Sequence, residues 1–292
     1  MKILLTGASG FIGRNLMAAL SRDAHQVIPV SRRHGTDVTG LQTADAWLPQ
    51  LDAIDAVINA VGIIGETRAQ RFDTLHAVVP RALFDACQRA GVTRVIQISA
   101  LGADETAFSA YHLSKKAADD HLRRLDLDWF IVRPSIIYGR GGASAALFQR
   151  LARLPVIGVV GDGGQPLQPV HIADVVATVR RCLTAARTRQ TLDLAGNQTF
   201  GYVDWLQHLR LAQGLGPAPV LKMPIWLALA GAWLGQSFNP LLRPANIRML
   251  LYSRTANSAA WQEFLGRKAL DFRPALIAAD ALQAEANIRS AA

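Results

Sequence analysis

The stretch SALGADETAFSAYHLSK, residues 99–115, holds a serine, a tyrosine and a lysine: Ser99, Tyr111 and Lys115. On a helix, the four-residue step from Tyr111 to Lys115 puts both side chains on one face, one turn apart. An ammonium held there stabilises a phenolate and pulls the tyrosine's pKa down from about 10. A phenol poised in this way can pass a proton to or from an oxygen that is changing between hydroxyl and carbonyl. The neighbouring Ser114 and Lys116 read as a small helical residue and a solvated cation.

Such a site needs a frame that holds both side chains and whatever they act on. Short apolar runs at 3–6, 26–30, 56–60, 94–99 and 129–133 alternate with helical patterns at 11–21, 75–90 and 110–125. Runs such as DAVINAVG and RVIQISA are apolar throughout, as strands covered on both faces are. The alternation predicts an α/β fold with a doubly wound parallel sheet of the Rossmann type. TLDLAG, ending at Gly196, reads as one more strand. Beyond it lie helical segments at 202–213, 225–234 and 244–251, broken by GLGPAP and NPLLRP. The expected organisation is a nucleotide-binding domain over 1–199 and a smaller, mostly helical substrate lobe over 200–292. The Gly- and Pro-rich segment 139–170 is expected to line part of the cleft between them.

GASGFIG, residues 7–13, falls between the first strand and the first helix. Gly7 permits the tight turn, Gly10 lets a pyrophosphate approach the backbone, and Gly13 lets helix and strand pack closely. The helix N-terminus offers N–H groups and partial positive charge to phosphates. An acidic residue at the end of the second strand would hold the ribose 2′-hydroxyl of NAD. The sequence instead supplies Ser31, Arg32 and Arg33, and guanidinium groups suit a 2′-phosphate. The expected cofactor is therefore NADP(H), against the plainer reading of two arginines at a solvated strand end.

Composition narrows the setting. The chain has 292 residues, half of them hydrophobic, which suffices for a large core. The net charge of +9 comes from scattered arginines, without the basic runs or interleaved aromatics of a nucleic-acid binder. No nucleic-acid partner is expected; the charge suits an anionic small molecule. Cys87 and Cys182 are the only cysteines, and both read as buried thiols in a reducing compartment. No H-E-x-x-H, C-x-x-C or carboxylate cluster suggests a metal. Met1 leads directly into the first strand, which implies a cytoplasmic protein without a signal peptide.

Taken in order, TGASGFIG, TDV (36–38), NAVG (59–62), YHLSK, VRPSIIYG (132–139) and PVHIADVV (169–176) resemble the motifs of the short-chain dehydrogenase/reductase superfamily, in its extended and atypical branches. The chain is similar there to nucleoside-diphosphate-sugar epimerase-like proteins and to relatives of the NADPH-binding accessory subunit of respiratory complex I. The resemblance implies an oxidoreductase or epimerase acting on a secondary alcohol or ketone, with a nucleotide sugar among the candidate substrates. It assigns Tyr111 as acid/base, Lys115 as its partner and a ligand of the nicotinamide ribose, and Ser99 as the group that polarises the carbonyl. It also implies cofactor contacts from Gly7, Ser9, Gly10, Phe11, Ile12 and Gly13, and from Ser31, Arg32, Arg33, Asp37 and Val38. Further contacts are implied from Ala60, Val61 and Gly62, and from Pro134, Ser135 and Ile137. Relatives also dimerise through helices beside the active-site strand, including the one that carries Tyr111.

Two departures open a second reading. Only twelve positions separate Ser99 from Tyr111, and His76 stands where relatives carry an asparagine. The alternative is a non-catalytic NADPH-binding protein with a structural, assembly or sensor role. His171 is expected to pack and hydrogen-bond with Asp174. Tyr138 and Ser135 lie on a loop expected near the nicotinamide, while Arg140, Arg243 and Arg248 could line the cleft. Residues 221–238 contain an apolar core, 223–235, too short to span a bilayer. It reads either as a buried helix of the lobe or as a pocket lid or surface for an apolar ligand, a membrane or a protein.

Overall fold

The computed structural model describes residues 1–235 and 243–289. Its centre is a parallel sheet of six strands: β1 (Lys2–Thr6), β2 (Gln26–Val30), β3 (Ala56–Asn59), β4 (Arg94–Ile98), β5 (Asp128–Pro134) and β10 (Gln190–Leu194). Their order is β10-β5-β4-β3-β1-β2, so the direction of winding reverses between β1 and β3. Ile3 lies between Val27 and Ala56, and Ile96 pairs with Phe130.

Strand alternation divides the core in two. Ile3, Leu5, Ile58, Ile96, Phe130 and Val132 face one layer, while Leu4, Val57, Val95, Trp129 and Ile131 face the other. The first layer includes α1 (Phe11–Arg22), α6 (Ile172–Thr184) and α11 (Ala281–Arg289). The second includes α2 (Ala44–Trp47), α3 (Val79–Ala90) and α4 (Ala110–Arg124). Cys87 on α3 and Cys182 on α6 are buried free thiols, each pushed to a higher pKa by burial.

The helical pattern at 75–90 divides in two. Residues Asp73–Val78 form a π-helical turn before α3 begins. Pro80 accounts for the break, because it has no N–H to return to the carbonyl of His76.

The elements outside this sheet and its two helical layers come from two stretches of chain, 137–171 and 200–265, rather than from 200–292 alone. From the first come β6 (Ile137–Tyr138), α5 (Ala143–Ala152), β7 (Ile157–Val160), β8 (Pro166–Leu167) and β9 (Val170–His171). From the second come β11 (Phe200–Gly201), α7 (Tyr202–Leu211), β12 (Val220–Met223), α8 (Ile225–Gly235), α9 (Pro244–Leu251) and α10 (Ala259–Leu265). The short strands join them: β6 with β9, β7 with β12, and β8 with β11. After α10 the chain returns to the sheet, where Ala281 N–H donates to Asn15 Oδ1 at 2.9 Å. Arg180 on α6 pairs with Asp23 at 2.5 Å and with Glu285 on α11 at 3.1 Å.

Candidate active site

The glycine loop turns where β1 meets α1. Gly7 has φ +68°, and a Cβ there would lie 2.5 Å from the carbonyl oxygen of Ala60. A Cβ on Gly13 would lie 2.2 Å from Gly7 O, so helix and loop touch backbone to backbone. Gly10 is exposed, and a Cβ there would meet only Gly7 O, at 3.1 Å. Gly10 caps α1 without a side-chain hydrogen bond, and the first turn carries no acidic residue. The result is a helix N-terminus whose donors and partial positive charge lie behind a low glycine loop. Beneath it, Thr6 Oγ1 donates to Asn59 Oδ1 (2.5 Å) and Asn59 Nδ2 donates to Gln97 Oε1 (2.7 Å). This buried polar ladder crosses the carboxyl ends of β1, β3 and β4.

At the end of β2, Ser31 is buried and shares a 2.7 Å hydrogen bond with His34 Nδ1. Arg32 and Arg33 are exposed on the 3-10 turn Arg32–His34. Asp37 accepts from the backbone N–H of Thr39 at 3.0 Å and from its hydroxyl at 2.8 Å. These bonds, reinforced by the charge of Arg32, hold its carboxyl below the usual range. Asp37 thus caps the Val38–Gly40 turn, with Val38 buried beneath. Ser9 receives Arg14 Nη1 on its carbonyl at 2.7 Å, while Phe11 lies against Gly142 and Ile12 is half-buried.

Tyr111 and Lys115 project from α4, whose N-cap Ser109 accepts from His112 N–H. Lys115 is 3% exposed, and its Nζ donates to Val61 O and to Ile98 O, both at 3.0 Å. Its ammonium thereby clamps the carboxyl ends of β3 and β4. Burial lowers its pKa to about 8, against the pull of nearby Asp119. Tyr111 is half-buried, with its ring edge-on to Phe72 and His76. Burial pushes its pKa up to about 12, opposite to the direction expected from the spacing. The difference lies in where Lys115 points: its charge is spent on two carbonyls.

His76 completes the link between α4 and the π turn. Its Nε2 accepts from Ile63 N–H at 3.0 Å, which leaves Nδ1–H to meet Ser114 Oγ at 3.1 Å. Ser114 in turn donates to Tyr111 O at 2.9 Å. Burial and the charge of Lys115 keep His76 well below its ordinary pKa, hence neutral. Ser99 is 4% exposed, and its hydroxyl donates at 2.5 Å to Asp119, a residue the spacing of motifs did not single out. A signal was available: Asp119 lies four residues beyond Lys115 and eight beyond Tyr111, on the same helical face.

Other expected residues have structural partners. Ser135 Oγ donates to Gln168 O at 2.5 Å and its N–H to Leu194 O at 2.8 Å. Pro134 ends β5, and Ile137 pairs with Val170. Tyr138 is buried against His171, Trp205 and Phe272. His171 packs as expected but bonds to Ala173 N–H and Leu276 O, and burial takes its pKa down to about 4. Asp174 pairs instead with Arg267 at 2.7 Å. Arg140 lines a depression beside Gly141 and Gly142. Arg248 is exposed, and Arg243 reaches the carbonyl of Glu66.

Gly7, Gly10, Gly13, the α1 terminus and Gly62 (where a Cβ would stand 3.3 Å from Lys115 Nζ) form a cradle fitting a dinucleotide. Among the described residues no group of three or more His, Cys, Asp or Glu side chains could hold a metal ion. None of the described helices is long and apolar enough to cross a membrane.

The sequence profile of the NAD dependent epimerase/dehydratase family matches residues 3–195. The ceramide reductase of Caulobacter vibrioides is 30% identical over 76% of this chain and 73% of its own. The mitochondrial NADH dehydrogenase 1 alpha subcomplex subunit 9 of Mus musculus is 30% identical over 58% of this chain, a match spanning about half of that subunit (49%). Among solved structures, MoeE5 in complex with UDP-glucuronic acid and NAD superposes with a TM-score of 0.73 at 23% identity. That superposition covers 99% of this chain and 100% of the other. UDP-N-acetylglucosamine 4-epimerase from Bacillus cereus gives 0.71 at 17% identity, over 97% and 96% of the two chains.

Proposed function

The chain belongs to the NAD dependent epimerase/dehydratase family, and on that premise we propose that it is an NADP(H)-dependent oxidoreductase interconverting a ketone and a secondary alcohol. The observation that carries this reading is that Lys115, one turn beyond Tyr111 on α4, holds Val61 O and Ile98 O at the carboxyl ends of β3 and β4 with its Nζ. When bound, the nicotinamide supplies or takes up the hydride. Tyr111 gives or removes the proton at the substrate oxygen. A phenol pushed up to about 12 is protonated at neutral pH, the form that can hand a proton to a substrate carbonyl oxygen as hydride arrives. Lys115 fixes the strand ends and presents positive charge, and exposed Arg32 and Arg33 support a 2′-phosphate. The ceramide reductase similarity supports carbonyl reduction. A nucleotide sugar is the other substrate body, brought by the weaker likeness to a UDP-sugar reductase of Pseudomonas aeruginosa.

One observation favours a second reading, an NADPH-binding protein without turnover: the hydroxyl of Ser99 is directed to Asp119 rather than into the cleft. The deciding experiment screens NADPH consumption against long-chain ketones and nucleotide keto-sugars, then repeats it with Tyr111→Phe. Turnover should fall by about 10²–10⁴-fold, the usual worth of a positioned acid, at unchanged NADPH affinity. Equal turnover in the variant would remove Tyr111 from the chemistry. Tight NADPH binding with no turnover on any substrate would favour the second reading.

A further inference from the structure

Helix α8 inverts the usual burial of a globular helix. It turns its small residues inward, Ala228 and Ala232 being its buried positions. Its large apolar residues face out: Trp226 is 71% exposed, Trp233 65% and Leu234 66%, with Ile225 and Leu227 also exposed. Trp226 and Trp233 stand seven residues apart, as do Leu227 and Leu234, so each pair lies on one side of the helix, two turns apart. Leu221 on β12 and Tyr252 at the end of α9 are exposed as well.

The segment of chain that carries this face has charges of one sign. From 205 to 262 the sequence contains no aspartate or glutamate, yet it carries Arg210, Lys222, Arg243, Arg248 and Arg254. Arg210 is turned inward onto Ala152 O and Leu154 O. Lys222, Arg248 and Arg254 are exposed. An apolar ridge with tryptophans, on a segment that carries cations and no acids of its own, matches the interface of an anionic bilayer. Eleven residues rise about 16 Å, about half of a hydrocarbon core, so the helix can lie in the headgroup boundary but cannot cross.

The ridge is joined to the catalytic cleft. Arg243, just ahead of α9, holds the carbonyl of Glu66 in the loop after β3. Arg254 reaches Thr106 and pairs with Asp104 at 3.8 Å, in the loop before α4. Tyr252 meets Phe108 edge-on at 5.4 Å, three residues ahead of Tyr111. We infer that α8, with Leu221 and the flanking cations, is a docking face for an anionic phospholipid bilayer, seating the mouth of the Tyr111 cleft against the lipid. Its bearing on substrate, a ketone on a molecule with long apolar chains, rests on the proposed reductase function; docking itself does not.

The test is flotation of the full chain with vesicles of phosphatidylglycerol and phosphatidylcholine, against phosphatidylcholine alone. The chain should float with the anionic vesicles, less so at high salt, and its tryptophan emission should shift to the blue. Trp226→Ala with Trp233→Ala should reduce the bound fraction by about 10-fold or more, the effect of withdrawing large apolar side chains from lipid. Lys222→Glu with Arg248→Glu should reduce it too and remove the salt dependence. Both variants should keep wild-type NADPH affinity and melting temperature. A wild-type chain that stays with unbound protein, or a tryptophan variant that floats as well as wild type, overturns the docking face. So does light scattering that finds a dimer broken by the tryptophan variant, with no vesicle binding. A chain that floats but reduces no ketone keeps the docking face and loses the reductase reading. One that reduces a water-soluble ketone without floating does the reverse.

Discussion

Ser99 Oγ–H donates a hydrogen bond to Asp119 Oδ2 over 2.5 Å, and the other carboxyl oxygen has no hydrogen-bond partner among the described residues. The pair is buried between β4 and α4. Burial raises Asp119 to about 7, opposed by the Ser99 hydrogen bond and by the charge of Lys115. Proton-holding groups of opposite sign thus share one dry compartment beneath the cleft, and Ser99 connects it to the sheet.

This compartment gives stability a definite pH slope. Asp119 ordinarily ionises near 3.8 but does so here at about 7. The unfolded chain therefore releases this proton first, and the group's contribution is lost as pH rises from about 4 to about 7. Asp119→Asn should abolish that loss, so that the variant's stability no longer falls over this range. Lys115, without the carboxylate's pull, would lose its proton at lower pH still, which adds a rising slope in the variant. Urea denaturation across this range compares the two profiles; parallel profiles would contradict the shift.

The proposed 2′-phosphate contact of the two exposed arginines after β2 can be tested apart from the glycine loop. Arg32→Ala with Arg33→Ala should weaken NADPH binding by about 10–100-fold, since charged hydrogen bonds to a phosphate are lost. NADH affinity should change by less than about 3-fold. Fluorescence titration with both dinucleotides reads the ratio. An equal loss for both would move the 2′-phosphate contact elsewhere.

Two glycines of the same loop should respond differently. In Gly13→Ala the new methyl would stand 2.2 Å from Gly7 O, so fold and cofactor binding should both suffer, with destabilisation above about 3 kcal/mol. In Gly10→Ala it meets Gly7 O at 3.1 Å and otherwise projects into open space. That variant should melt within a few degrees of wild type and still lose dinucleotide affinity, because the methyl occupies the pyrophosphate's approach. Calorimetry beside titration distinguishes the two. Unchanged affinity in Gly10→Ala would place the phosphates away from this loop.

The long-range plan was legible because each central strand is apolar on both faces and each crossover carries a helical period. Ile3, Leu4 and Leu5 already encode the two-layer core. The short pairings were not legible: Ile137–Tyr138 with Val170–His171 involves two residues a side, too few for a period. The π turn at Asp73–Val78 follows from Pro80, but a helical pattern alone runs through it. Tyr111 and Lys115 were visible by spacing, yet the direction of the tyrosine's shift depends on where the lysine's proton donors go, and Val61 O and Ile98 O are set by the sheet. Helix α8 is apolar all round, so its sequence marks no inward face; only the packing of Ala228 and Ala232 tells which side is covered.

The return of α11 to α1 and α6 has a consequence for the chain's connectivity. The second segment of the smaller lobe is a loop of chain moored at both ends, by β10 on one side and by Ala281, Asn15 and the Arg180 ion pairs on the other. A single backbone cut between α7 and α9 therefore would not set the lobe adrift. Each fragment would keep its own anchorage in the same layer, so a nicked protein should remain assembled and migrate as one particle until denatured. That second segment can also be exchanged as a cassette between two fixed posts, with the glycine loop untouched.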